Sequence, residues 1–175
     1  MFQLESTRLR LMPLTTAQLQ LHAADYDALQ RSLGLVPRQM QMEEYFQNEF
    51  DDALANYWLP ETAANASRYE WFTNWLIVYK KDNCVAGGIG VAGLPNDRGE
   101  TEIGYGIDCA YRGKGIATEA LECLSAWVFK HPAAVALIAH TPVALTNSQR
   151  VLQKAGFEQI SEKEGLILWR KLNAN

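Results

Sequence analysis

The chain reads as an α+β fold: a mixed, mostly antiparallel central sheet flanked by helices, in one domain over residues 1–175. Three observations predict it. Apolar residues recur at helical spacing through most of the first third of the chain. The helical period then gives way to three consecutive strand-like segments between 71 and 108, the last of them alternating with period two. After that, a helix, a strand, a helix and further strands alternate, which asks for one β-helix-β crossover in the C-terminal half. No shift in composition marks a second domain.

The elements follow in order. Residues 4–12, LESTRLRLM, alternate apolar with charged and read as a strand ending at Pro13. Thr15 or Thr16 caps a helix to about Ala24, and a second helical piece over 25–33 stops at Gly34. Met42, Phe46, Phe50 and Leu54 recur every fourth residue and predict a long amphipathic helix over 38–55, with Glu43, Glu44, Glu49, Asp51 and Asp52 mostly off that stripe. Residues 56–67, with Pro60, read as a connection. WFTNWLIVYK (71–80), CVAGGIGVA (84–92) and TEIGYGID (101–108) predict three strands separated by turns at Lys81-Asp82-Asn83 and at 96–99. In the third, Ile103, Tyr105 and Ile107 share one face, while Glu102, Gly104, Gly106 and Asp108 share the other. A helix over 115–130 presents Ile116, Ala120, Leu124 and Val128 to a core and is stopped by Pro132. Then come a buried strand at 135–140, a helix at 147–155 ended by Gly156, and a hairpin over 157–170 around Glu164-Gly165.

Composition narrows the function. Hydrophobic residues are 48% and charged residues 21%, ordinary values for a soluble globular chain. The longest uncharged apolar run, AAVALIA at 133–139, falls far short of the ~20 residues of a membrane span. Glu5, Arg8 and Arg10 interrupt what a signal peptide would keep apolar. Cys84, Cys109 and Cys123 are too scattered for a disulfide framework, and no CxxC or HExxH offers metal spacing. These features predict a cytoplasmic protein without a metal. The net charge of −4 argues against nucleic acid and favours cationic partners.

One stretch stands out. YRGKGIATEA (111–120) sets Arg112, Gly113, Lys114 and Gly115 directly before a helix-forming run. A helix start offers unpaired N–H groups and partial positive charge, and glycines let an anion come close. The same residues also suit a plain turn with solvated cations. A Walker loop is excluded because Lys114 precedes Gly115 rather than Ser or Thr. GIGVAG at 88–93 spells G-x-G-x-x-G, but it lies within a strand and runs into Leu94-Pro95 rather than a helix, which excludes the dinucleotide fingerprint.

Arg112-Gly113-Lys114-Gly115-Ile116-Ala117 matches [QR]-x-x-G-x-[GA]. It resembles the coenzyme A pyrophosphate loop of the GNAT N-acetyltransferase superfamily. The surroundings extend the likeness. EIGYGID resembles the family's splayed central strand, and ATEAL the start of its cofactor helix. LESTRLRLMPL and SQRVLQKAGFE are similar to the first strand and the C-terminal helix of the ribosomal-protein N-terminal acetyltransferase branch. The likeness covers nearly the whole chain and is least specific over 25–70.

The resemblance implies acetyl transfer from acetyl-CoA to a primary amine, a small molecule or a protein N-terminal α-amine, by direct attack on the thioester. The backbone of Ile107, Asp108 and Cys109 would pair with the pantetheine arm. Residues 112–117 and Thr118 would hold the pyrophosphate, with no metal needed. Glu102 sits where many members place a general base, though it can equally orient substrate or serve the fold. The tyrosine many members carry in the last helix is Leu152 here. Ser148 falls where the ribosomal branch places a related acid, and the cofactor-binding asparagine expected at Leu145 or Thr146 is absent, so that either Asn147 stands in for it through a shifted turn or the contact is lost. Ser148 and Asn147 can also be simple helix caps. His140 reads more readily as a core residue than as a base. The acidic face of 38–55 can be solvated or can attract an amine, and Trp71, Phe72 and Trp75 can be core or can line the acceptor site. A homodimer is compatible with the family. The alternative is a non-catalytic acyl-CoA-binding or regulatory module on the same fold, motivated by Leu152 and the displaced asparagine. An NAD-binding oxidoreductase through GIGVAG is a third reading.

Overall fold

The computed structural model describes residues 2–174. The N-terminal segment gives two strands rather than one, β1 (Leu4–Glu5) and β2 (Leu9–Pro13), because Leu9 carbonyl accepts the N–H of Ser6 and closes a tight turn between them. Helices α1 (Thr16–Ala24), α2 (Tyr26–Ser32), α3 (Glu44–Ala53) and α4 (Leu59–Ala64) follow. Strands β3 (Trp75–Tyr79), β4 (Cys84–Val91) and β5 (Glu100–Ile107) form the middle of the sheet. The chain closes with α5 (Ile116–Val128), β6 (Ala136–Pro142), α6 (Thr146–Lys154), β7 (Glu158–Lys163) and β8 (Leu166–Leu172). The strand order is β1-β2-β3-β4-β5-β6-β8-β7, and every neighbouring pair is antiparallel except β5–β6, the expected crossover through α5. Among the described residues no helix is long and apolar enough to cross a membrane.

The sheet is apolar on both faces, so β3 reads WLIVY without a break. Ile77 packs with Leu9, Leu11, Ile103, Ile116, Leu121 and Leu124 on the α5 side. Its neighbours Leu76 and Val78 pack with Met12, Leu14, Leu19 and Leu29 on the α1–α2 side. Thr15 is the cap of α1, in a capping box with Gln18.

Three helical expectations shift. Residues 38–43 are not helical, because their polar groups are taken elsewhere. The buried Gln30 amide binds both the N–H and the carbonyl of Arg38, and Asp108 accepts from the N–H of Gln41 and the guanidinium of Arg38. Beyond α3 the chain stays helical through 56–64 despite Pro60. Pro60 has no N–H, and its ring would crowd the carbonyl of Asn56 in a regular helix. A π turn over Leu54–Trp58, with the Leu59 N–H reaching back to Leu54 carbonyl, absorbs the conflict. Residues 66–71 form a 3-10 helix, so the strand expected from 71 starts at Trp75.

Glu119 ties the β1–β2 turn to the first turn of α5. Its carboxylate accepts from Ser6 Oγ at 2.7 Å, the Arg8 N–H at 2.8 Å and Arg8 Nε at 2.6 Å, while Arg8 Nη1 donates to Lys114 carbonyl at 2.8 Å. Burial works to raise its pKa, but the hydrogen bonds from Ser6 and Arg8 outweigh it and hold the carboxyl below its ordinary 4.5. The stabilisation is therefore complete above pH 4.5 and is lost as pH falls through the lowered folded value. Glu119→Gln should cost about 1.5–3 kcal/mol at pH 7, as for hydrogen bonds to a charged group. Urea midpoints measured against pH should show wild type and variant converging only below pH 4.5.

Candidate active site

β5 and β6 pair only from Glu100–Ala136 to Glu102–Ile138, and then both strands run on apart. On its other side β5 stays paired with β4 through the even-numbered residues, as the Asp108-to-Ala86 and Ala92-to-Glu102 bonds show. By antiparallel alternation the odd-numbered residues of β5 turn their backbone groups toward β6; the Glu102–Ile138 rung takes the Ile103 N–H, so the groups of Tyr105 and Ile107 face the gap that β6 leaves. Of the residues expected to meet a pantetheine arm, Ile107 is the one turned this way. The Asp108 N–H goes to Ala86 and the Cys109 N–H to Gln41 carbonyl, and the Asp108 carboxylate is fully buried against Arg38.

Below the gap, α5 begins. The backbone N–H groups of residues 113–118 donate to no group among the described residues; the first helical bond runs from Glu119 to Gly115 carbonyl. Gly113 and Gly115 both have positive φ, at 70° and 74°, and a Cβ on Gly113 would stand in open space. A concave run of free donors at a helix start is an anion cradle. The cations of the loop are partly engaged. Arg112 Nη1 lies 2.5 Å from the Glu43 carboxylate, and Lys114 donates to Ala110 carbonyl with its ammonium 4.9 Å from the centre of the Tyr111 ring. Unpaired cations come instead from α6. Asn147, Arg150, Val151 and Lys154, at i, i+3, i+4 and i+7, share the face that lines the cradle, and neither Arg150 nor Lys154 has an ion-pair partner among the described residues. That spacing is present in the sequence and was the signal that would have found them.

Two cavities meet at the gap. One, of about 450 Å³, runs from the α5 cradle along α6. The other, of about 700 Å³, lies across the sheet under α3 and the π turn, which turns Tyr57 and Trp58 into it. Both are lined by Phe46, Tyr105, Gly106, Leu145 and Ser148, so these residues mark the junction. The Tyr105 hydroxyl donates to Ser148 carbonyl at 3.2 Å, and burial raises its pKa far enough to keep it protonated. In the larger cavity burial, with help from Glu61, pushes the Tyr57 phenol up to about 12, and burial aided by Glu49 raises Tyr45. Glu49 and Glu102 line this cavity, and among the described residues no Lys or Arg does.

Several sequence readings change here. Leu145 holds the cap position of α6 without a side-chain bond, so neither Asn147 nor Ser148 is a helix cap. Leu152 is buried core. His140 is not a core residue; it is exposed to the larger cavity, with Nδ1 2.8 Å from Glu102 Oε1. Trp71 and Trp75 are core. GIGVAG lies in β4 and the bend after it, where Gly88 and Gly90 are crowded by Asn74 and by Thr73 carbonyl, leaving no cradle for a dinucleotide.

Comparison with known proteins agrees with this geometry. The family model described as acetyltransferase (GNAT) domain matches residues 8–158. Uncharacterized N-acetyltransferase YjdG of Bacillus subtilis (strain 168) is 33% identical over 86 residues, 49% of this chain and 51% of that protein, so the chain spans about half the length of this curated relative. The crystal structure of ribosomal-protein-S5-alanine acetyltransferase from Vibrio fischeri is similar with a TM-score of 0.68 at 18% identity, covering 100% of this chain and 98% of that one. RimL, a ribosomal L7/L12 alpha-N-protein acetyltransferase in complex with coenzyme A, is similar with a TM-score of 0.67 at 17% identity over 99% and 100% of the two chains. A spermidine N-acetyltransferase SpeG chimera from Vibrio cholerae and hSSAT gives 0.62 at 15% identity over 96% and 97%. At these identities the solved structures establish the fold.

Thr118→Asp separates the cradle from the helix. An acid in the first turn suits the helix dipole, so the melting midpoint of the protein alone should hold or rise slightly. The rise that coenzyme A gives the wild type should vanish in the variant.

Proposed function

The chain belongs to the GNAT acetyltransferase family, and from that premise we propose that it transfers the acetyl group of acetyl-CoA to a primary amine held in the larger cavity. The observation that carries this reading is the run of free N–H groups over 113–118 at the foot of a gap lined by the bare backbone edge of Tyr105 and Ile107.

The residues present suit the ligand. A pyrophosphate accepts many hydrogen bonds at once and would sit on residues 113–118, with Arg150 and Lys154 supplying charge. The pantetheine arm would lie along β5 like an added strand, which brings the thioester to the junction at Tyr105 and Ser148. N–H groups of the β5 edge could then meet the oxygen on which charge develops. The departing thiolate would find the hydroxyls of Tyr105 and Ser148 nearby. The carboxylates of Glu49 and Glu102, without a competing cation, favour an amine that arrives as an ammonium ion.

Acetyl-CoA at about 100 times its dissociation constant should stabilise the protein by about 2.7 kcal/mol and raise its midpoint by about 5–10 °C. NAD should give no rise. Free thiol, measured colorimetrically, should then appear with acetyl-CoA only when an amine is added. A midpoint rise without thiol release for spermidine, phenethylamine or a peptide with a free N-terminus would favour the non-catalytic binding module. No rise with acetyl-CoA up to millimolar levels would remove the reading.

A further inference from the structure

We infer that His140, oriented by Glu102, is the base that removes protons from the amine, an assignment that rests on the acetyl-transfer reading above. Glu102 is the last β5 residue in register with β6, opposite Ile138, and His140 lies two residues further along β6, past the point where the strands part. Their side chains bridge the opening gap, with Nδ1 2.8 Å from Oε1. A carboxylate accepting from Nδ1–H fixes the tautomer and leaves the lone pair on Nε2. That nitrogen has no hydrogen-bond partner among the described residues, and both side chains line the larger cavity. The pair is 41% and 46% exposed, so a proton taken by Nε2 can pass on to water. On an open surface such a pair would do little; here it stands at the wall where an amine must approach the junction.

The other titratable groups facing this site are Tyr45 and Glu49 from α3, Tyr57 from the π turn and Tyr105 from β5, while β8 presents Leu166 and α6 presents Ser148. Glu49 and Glu102 are the charged ones, and both favour an arriving ammonium ion. The proton balance is then complete. His140 takes one proton from the ammonium ion and releases it to water. The free amine attacks the thioester carbon, the C–N bond forms and the C–S bond breaks. The second nitrogen proton ends on the thiolate sulfur, so the products are amide, thiol and one proton in solution. His140 is thus a catalytic residue, and Glu102 is a positioning residue rather than the base.

The test is the pH dependence of kcat/KM for thiol release with phenethylamine, spermidine and a peptide with a free N-terminus. Wild type should rise with pH in a step that depends on the imidazole. His140→Ala should lose that step and fall by roughly 10²–10⁴-fold, and added imidazole should restore part of the rate. Glu102→Gln, whose amide oxygen can still accept from Nδ1–H, should lose less and keep the step. Both variants should keep the wild-type midpoint rise with acetyl-CoA, which shows that they fold and bind. The inference is overturned if His140→Ala retains wild-type rates, if imidazole does not rescue it, or if Glu102→Gln abolishes the step while His140→Ala keeps it. No turnover by wild type with any of the three amines defeats acetyl transfer itself, and the dyad with it.

Discussion

The site depends on how briefly β5 and β6 pair. Their register holds from Glu100–Ala136 to Glu102–Ile138 and no further. A parallel pair kept along its full length would satisfy the backbone of Tyr105 and Ile107 and close the sheet. Because β6 leaves, that edge stays bare in the middle of the molecule, where an unpaired backbone polar group is costly unless water or a ligand meets it. The parting also joins the two cavities and lets the Glu102 side chain reach His140, two residues beyond its partner Ile138. Edge, junction and dyad are consequences of one interrupted ladder.

Much else holds that opening in place. The α5 crossover starts at the foot of the gap, and Glu119 and Arg8 fix its first turn from the far side of the sheet. Asp108 and Gln30 strap residues 38–43 to the end of β5. That strap sets where α3 begins, and the π turn after α3 aims Tyr57 and Trp58 at the amine side. The charged and hydrogen-bonded groups of the scaffold are spent on position, while the N–H groups of residues 113–118 are left free.

The sequence revealed the periodic parts well. TEIGYGI and the Ile116-Ala120-Leu124-Val128 stripe declare their elements through spacing, WLIVY through its β-branched and aromatic content, and the glycines around Lys114 declare a helix start built for close approach. It was less legible where tertiary contacts overrule local pattern. The Met42-Phe46-Phe50 stripe looked helical from 38, yet Asp108, seventy residues away, had a prior claim on the backbone there. Pro60 looked like a break because a π turn leaves no periodic signature. His140 looked buried because its strand is apolar, and only the divergence of β6 exposes it. The Tyr105 hydroxyl and the Arg150–Lys154 face were missed because their roles depend on a junction that no local window contains.

The most direct test of this account is residue-resolved amide hydrogen exchange, followed by NMR, with and without coenzyme A. The account predicts slowed exchange at the amides of 113–118 and of Tyr105 and Ile107, with Gly104 and Gly106, already paired to β4, changing little. Protection confined to other surfaces, or protection of residues 113–118 with the β5 edge unchanged, would contradict the claim that the gap between β5 and β6 is where the thioester is held.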